Sequence, residues 1–243
     1  MSTTVSRLAA LRRQLASEGL AGLVVPLTDE HMSEYVGDYA QRLHWLTGFG
    51  GSAGNAVVLQ DRAAIFTDGR YTVQVRQQVP GDLFAYEDVP RTNVAQWLGE
   101  QVQAGNRVGY DPWLHTRGWA NGTAALLKAK GAELVALAAN PIDAVWTDRP
   151  APSAAPIEVH DALFAGRAHA EKRAEIAAWL AGKQADAVVI AALDSVAWLL
   201  NIRGRDVPRT PVALAFLIVH ADASVDLFTA PEKLTDAVRA HLG

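Results

Sequence analysis

The chain has 243 residues, a formal net charge of −4 at neutral pH, half its residues hydrophobic, a fifth charged and no cysteine. That length allows one large domain or two small ones, either with a substantial core. The lack of cysteine excludes a disulfide scaffold, a zinc–thiolate site, an iron–sulfur cluster and a cysteine nucleophile, and the mild acidic balance argues against binding nucleic acid or an anionic membrane surface.

At the N-terminus, Val5, Leu8, Leu11 and Leu15 form one helical stripe that Thr4 can cap and Gly19 can end. A buried-strand run follows, Leu23-Val24-Val25, stopped by Pro26; residues 27–42 are polar and read as a long loop or short helix. Trp45 and Leu46 precede a glycine-rich turn over Gly48–Gly54, and strands at Ala56–Leu59 and Ala63–Thr67 flank the hairpin-like Gln60-Asp61-Arg62. Asp68-Gly69 is a turn signal, and Tyr71–Gln78 reads as helix. Then come a helix at Val94–Gln103, a strand at Arg107–Tyr110, a helix at Thr116–Lys130 and a strand at Leu134–Leu137. Strands alternating with helices give an α/β domain with a mixed central sheet. Trp45, Trp146, Trp179 and Trp198 sit beside aliphatic neighbours and read as core.

Between Trp146 and Pro156 the composition changes, with Pro150, Pro152 and Pro156 close together. Such a stretch reads as an extended linker, giving domains at 1–145 and 157–243 with a linker at 146–156. The second part repeats the first. A helix at Ala170–Ala181 leads to a strand at Ala187–Ala191, Trp198-Leu199 precedes a glycine-bearing turn, strands at Val212–Val219 and Val225–Phe228 pair around Ala221-Asp222-Ala223, and a helix spans Glu232–Leu242. Val188, Trp198 and Phe228 are the expected counterparts of Val24, Trp45 and Phe66. The first part continues past its hairpin for three helices and two strands, whereas the second has one helix there, so the second domain is expected to be incomplete. The longest apolar runs, Ala187–Leu193 and Val212–Val219, fall far short of the roughly 20 residues of a bilayer-spanning helix. No secretory-signal stretch is present, and a cytoplasmic protein is expected.

Three motifs invite chemistry. Gly50-Gly51-Ser52-Ala53-Gly54 matches G-x-S-x-G, with Asp111 and His115 downstream, but a serine-hydrolase elbow must open a helix and a strand follows here. The weak alternative of a hydrolase using Ser52 remains. His31 and Glu34 could share a helical face and ligate a metal, yet they are too few alone. In Thr67-Asp68-Gly69-Arg70-Tyr71 a strand ends in a turn and Arg70 follows with five fixed donors, suited to carboxylates and carbonyls; the plain alternative is a local Asp68–Arg70 interaction.

Together these stretches resemble a known family. Asp29-Glu30-His31-x-Ser33-Glu34-Tyr35, Gly48-Phe49-x-Gly51-Ser52-Ala53-Gly54 and Thr67-Asp68-Gly69-Arg70-Tyr71 resemble the first domain of three-domain Xaa-Pro aminopeptidases. Val108-Gly109-x-Asp111-Pro112 and Asn140-Pro141-Ile142-Asp143 through Pro150 resemble its closing motifs, and Ala192–Val207 the start of the second domain. The resemblance implies two creatinase N-terminal-type domains, each a mixed sheet flanked by helices. It implies an enzyme that removes the N-terminal residue preceding proline from peptides, with catalysis in a C-terminal domain outside these residues. There two divalent ions, expected to be Mn²⁺, activate water. No catalytic residue, metal ligand or cofactor is therefore expected in this chain. Its partners would be that catalytic domain, peptides with proline second, and further copies of itself. By the same resemblance Arg70 is the substrate-binding residue. The rival reading is a free-standing creatinase-fold interaction module without peptidase activity.

Overall fold

The computed structural model describes residues 3–243. The chain divides into two compact units: Tyr39–Pro150 with the chain up to Glu34, and Ala151–Gly243 with Tyr35–Asp38.

The first unit runs α1 (Thr4–Ser17), β1 (Gly22–Pro26), α2 (Arg42–Thr47), β2 (Asn55–Leu59), β3 (Ala63–Thr67), α3 (Thr72–Gln78), β4 (Ala85–Asp88), α4 (Val94–Gln101), β5 (Arg107–Tyr110), α5 (Arg117–Ala129), β6 (Glu133–Ala136) and α6 (Pro141–Val145). Its sheet has the order β4-β3-β2-β1-β5-β6, with β2 antiparallel to both neighbours and the other pairs parallel. Strands β1, β3, β4, β5 and β6 therefore all end at the same edge of the sheet. Alternation along the strands divides the core in two. Leu23, Val25, Ala56, Val58, Ala63 and Ile65 face one core, built with Leu8, Leu11 and Leu15 of α1 and with α2, α3 and α6. Val24, Val57, Ala64 and Phe66 face the other, built with Val94, Trp97 and Leu98 of α4 and Leu127 of α5. Each fully buried Leu or Phe contributes about 1.5–3 kcal/mol. The cap of α1 is Thr3 rather than Thr4, in a capping box with Ser6, and Val5 lies outside the stripe, exposed.

The stretch read as a linker from residue 146 starts inside this unit. Trp146 is buried and stacks on Trp45 at 5.5 Å. Asp143 receives a bidentate pair from Arg42 (2.8 and 2.9 Å) and a bond from Arg149 (2.7 Å), while Arg149 also donates to the carbonyl of Tyr39. These contacts hold the chain to Pro150 against the first unit, and the segment without regular structure after it runs from 151 to 157.

The second unit runs β7 (Glu158–Val159), α7 (Ala162–Ala165), α8 (His169–Lys183), β8 (Ala187–Ile190), α9 (Leu193–Leu200), β9 (Ile202–Arg203), β10 (Phe216–His220), β11 (Val225–Phe228) and α10 (Asp236–Leu242). Its three-stranded sheet has the order β11-β10-β8, antiparallel throughout, and β7 pairs with β9 apart from it. This reproduces β3-β2-β1. Val188, Ile190, Leu217, Val219, Val225 and Leu227 pack with α8, α9 and α10 as Leu23, Val25, Ala56, Val58, Ala63 and Ile65 pack with α1, α2 and α3. The counterpart of Val24 is thus Val189, one place on from the expected Val188, because a one-residue shift moves a strand residue to the other face. Trp198 occupies the place of Trp45, and Phe228 that of Phe66. Both α2 and α9 end in a left-handed residue, Gly48 and Asn201.

The repeat extends to a polar detail. Arg7 of α1 lies over the Trp45 ring and donates to the Trp45 carbonyl; Lys172 of α8 lies over Trp198 at 4.6 Å and donates to its carbonyl at 2.8 Å. Lys172 is 2% exposed and also donates to Asn201 Oδ1; burial pushes its ammonium below the ordinary lysine range. Unlike Trp45, Trp198 is half exposed, as is Trp179, so neither is a core residue.

A buried ion pair, Lys233–Asp206, anchors the turn before α10, and the Asp206 carboxylate also accepts from the Leu214 N–H. Lys233→Met would leave that carboxylate buried without its counter-ion. We expect a loss of about 3–5 kcal/mol, read as a lowered urea midpoint; an unchanged midpoint would show the pair to be dispensable.

Candidate functional site

The carboxyl edge of the first unit's sheet carries the polar side chains of interest. In open α/β sheets this edge is where ligands are met, because loops from like-directed strands converge there. Strand β3 ends at Thr67, Asp68 caps the 3₁₀ turn Gly69–Tyr71, and α3 follows. Asp68 Oδ1 accepts from the Arg70 backbone N–H at 3.0 Å and from Arg70 Nε at 3.0 Å, while Oδ2 accepts from Nη2 at 2.8 Å. The guanidinium also lies 5.1 Å from the centre of the Tyr71 ring. Arg70 is thus held side-on and remains exposed. Asp68 occupies one edge of the fork, leaving the Nη1 hydrogens and one on Nη2 directed away from it. The Arg70 contact holds the Asp68 carboxyl below the ordinary aspartate range, and Asp68 raises the guanidinium further above neutrality. Protonating Asp68 therefore takes a pH below that range. Any stability the pair contributes is present above the ordinary carboxyl pKa and lost as pH falls through the depressed one.

Ser52 joins this cluster. Its Oγ donates to Glu34 Oε1 at 2.7 Å and lies 2.8 Å from the Tyr71 hydroxyl, which also accepts the Ser52 N–H at 3.1 Å. Those bonds pull the Tyr71 phenol below its ordinary pKa. The ring of Tyr71 meets Phe49 edge-on at 5.5 Å. Glu34, Ser52, Asp68, Arg70 and Tyr71 form one connected group. Sequence reasoning reached Arg70 and considered Ser52 and Glu34 separately; it missed Tyr71 as the piece that links them. The available signal was that all three stretches carry the family resemblance.

The serine-hydrolase reading finds no support in this geometry. Strand β2, not a helix, follows Ser52, whose partners are Glu34 and Tyr71. His115 stacks on Trp119 at 4.2 Å and directs Nδ1 at the carbonyl of Asp111, 2.9 Å away. Nor do His31 and Glu34 share a helical face, since residues 27–34 are not helical and Glu34 is engaged with Ser52. Among the described residues no three His, Asp or Glu side chains gather as a metal site would need; the two ions that the family resemblance implies belong, by that same resemblance, to a domain outside these residues.

At the same sheet edge lies a groove of about 580 Å³ lined by Pro26, Thr28, Asn93, His115, Thr116 and Trp119 among others, none of them a residue of the cluster. Burial drives the His115 imidazole below its ordinary pKa, because charge there would be poorly solvated. Above the ordinary histidine range the ring is neutral in folded and unfolded chains alike. Below it the unfolded chain takes up the proton first, so His115 subtracts stability as pH falls. Denaturant midpoints measured from pH 7.5 to 5.5 should therefore decline in the native chain and decline less in His115→Gln; parallel slopes would remove this role from His115.

The fold and the sheet-edge cluster define a creatinase-type α/β protein. The chain belongs to the creatinase/prolidase N-terminal domain family, whose models match residues 7–145 and 148–243. A probable Xaa-Pro aminopeptidase P of Aspergillus niger is 37% identical over 245 residues, covering 99% of this chain and 39% of that protein. Xaa-Pro aminopeptidase 2 of Sus scrofa is 36% identical, covering 98% of this chain and 36% of its own length. The crystal structure of an X-prolyl aminopeptidase from Caenorhabditis elegans, described as a cytosolic enzyme with a di-nuclear active site, superposes with a TM-score of 0.93 at 35% identity. It covers 99% of this chain and 41% of that one. The chain thus aligns with the N-terminal part of Xaa-Pro aminopeptidases and spans well under half their length.

Proposed function

We propose that this chain is the non-catalytic N-terminal part of an Xaa-Pro aminopeptidase that removes the residue preceding proline from peptides. Its share of the work would be to bind substrate through Arg70, restrict access and support a homo-oligomer. Metal-dependent hydrolysis would belong to polypeptide outside these residues, with two divalent ions, expected to be manganese, supplying the activated water. Residues 1–145 and 157–243 would act as its two creatinase-type domains, the second incomplete. A cytoplasmic location accords with the cytosolic C. elegans relative; among the described residues no helix is long and apolar enough to cross a membrane.

The observation that carries the Arg70 reading is its mounting. A guanidinium fixed on one edge by Asp68 and on its face by Tyr71 loses little freedom when its remaining donors meet a ligand. With Asp68 paired to it and Glu34 close enough to influence it, the local charge is not positive. That balance suits the neutral carbonyls of a peptide better than a free carboxylate. Lysine could not reproduce the two-point hold on Asp68, so Arg70→Lys should lose that mounting and mainly raise KM.

The test uses the full-length enzyme. Arg70→Ala should lower kcat/KM for an Xaa-Pro-Yaa peptide about ten-fold or more, leaving metal content and melting temperature near those of the parent. If kcat/KM is untouched while the melting temperature drops by many degrees, Arg70 is only the structural partner of Asp68. The 243-residue chain alone should show no chelator-sensitive release of the first residue, with or without Mn²⁺. Sustained release would place catalytic groups inside it.

A further inference from the structure

Two helices begin at the groove on the first unit's sheet edge. Helix α4 connects β4 to β5 and α5 connects β5 to β6, strands that end at one edge, so each helix starts there. Val94 and Ala95 of α4 and Gly118 and Trp119 of α5, all in first turns, line the same groove. Asn93 and Thr116 cap only the third N–H of each helix, those of Gln96 and Trp119. The N–H groups of Val94, Ala95, Arg117 and Gly118 have no hydrogen-bond partner among the described residues. Neither first turn carries an acid, and the one charged residue in them, Arg117, is a cation, which the helix dipole disfavours at that end.

The wall of the groove adds an independent sign. Thr123 of α5 is 1% exposed and lines the groove, and no described residue bonds its hydroxyl. Buried hydroxyls in folded proteins are nearly always bonded, so this one marks a place for an atom from outside the chain. By the helical rise it lies roughly 7–8 Å along α5 from Gly118. The path between is open, since a Cβ at Gly118 or Gly122 would meet nothing within 4 Å. Pro26, Val89, Leu114 and Trp119 give the groove an apolar side, and no Asp, Glu, Lys or Arg lines it. Unpaired donors at one end call for acceptor oxygens, and an uncharged wall calls for an uncharged body.

We propose that this groove binds a small organic oxyanion, a carboxylate or a phosphate. Its charged group would meet the free N–H groups that open α4 and α5. Its uncharged body would run along α5 and present a polar atom to Thr123. The site shares no lining residue with the Arg70 cluster, and it requires no particular reading of the catalytic activity.

The test is calorimetric titration of the full-length enzyme, stripped of metal by a chelator so that no metal centre competes for the anion. The probes are para-hydroxybenzoate, para-hydroxyphenyl phosphate and the uncharged para-hydroxybenzamide. At least one anion should bind, and the amide should not. Ala95→Asp places a carboxylate in the first turn of α4, which favours the helix and competes with the ligand. Thr123→Val removes a hydroxyl that no protein group holds. Both variants should melt at or above the parent temperature, yet Ala95→Asp should weaken the anion about ten-fold or more and Thr123→Val about five-fold. Should Ala95→Asp fail to fold, Gly118→Asp makes the same test from α5. Tighter binding of the benzoate assigns the site to carboxylates, and tighter binding of the phenyl phosphate assigns it to phosphates. The proposal is overturned if neither anion gives heat up to about 10 mM, if the amide binds as well as the anions, or if the Asp variant binds them undiminished.

Discussion

Residue 51 has no room for a side chain. A Cβ there would lie 2.3 Å from the tip of the Phe49 ring and 2.8 Å from the Tyr71 ring. This close approach brings the turn after α2 against the turn after β3, which a whole hairpin separates in the chain. It lets Ser52 bond the Tyr71 hydroxyl through both its N–H and its Oγ. The position of Tyr71 in turn supports the Arg70 guanidinium. The whole sheet-edge cluster therefore hangs on a contact that only glycine permits, and its chemistry is mounted on backbone rather than on mobile side chains.

The second unit keeps the constraint and changes its use. Gly204 is the counterpart of Gly51, and a Cβ there would meet Ala213 at 2.7 Å. Lys233 stands where Tyr71 stands and pairs with Asp206, two residues past the glycine. In this unit the polar link between the two turns is buried, which makes it structural: an ion pair without water must be held in fixed geometry to offset the desolvation of its charges. In the first unit the same link is made by a phenol and a serine at the surface. The residue in the Arg70 position of the second unit is Glu232, which cannot offer a peptide the donors of a guanidinium. One architecture, repeated, thus holds a locking pair in one copy and a solvent-facing cluster in the other. That contrast argues against regarding Arg70 as a generic feature of the fold, because the copy free of the site does without it.

Much of this was legible in the sequence, for identifiable reasons. Strands β5 and β11 fall where expected because short alternating runs, Val108 and Tyr110 in one and Val225 and Leu227 in the other, bounded by turn residues read as strands. The repeat was legible because tryptophan and phenylalanine at matching places are rare enough to notice. The register was not: a run such as Ala187-Val188-Val189-Ile190 is apolar at every position, so periodicity cannot say which residues face the helices. Helix α2 was hidden by its length of six residues, too short to show a period, and strand β4 by its polar sequence, Ala85-Tyr86-Glu87-Asp88, at the edge of the sheet. For the site, Asp68 and Arg70 were readable because their contact is local. The link from Glu34 through Ser52 to Tyr71 joins stretches far apart in the chain and depends on tertiary packing, which no local pattern encodes.

The two basic residues over tryptophan show how far such packing can be conserved in kind while differing in cost. Arg7 and Lys172 each bridge the first long helix of a unit to the last turn of its next helix in the repeat, by facing an indole and meeting that residue's own carbonyl. Trp45 is buried under Trp146, so Arg7 works at the rim of a large core. Trp198 is half exposed, and the ammonium of Lys172 is instead the buried partner, satisfied by the Trp198 carbonyl and by Asn201. Asn201 is also the left-handed cap of α9 and donates to the Arg167 carbonyl. A glycine would supply the backbone conformation at 201, as Gly48 does in the first unit, but not the side-chain oxygen that the buried lysine requires. The asparagine accepts the left-handed conformation, at some cost relative to glycine, because burying a cation without that acceptor would cost more.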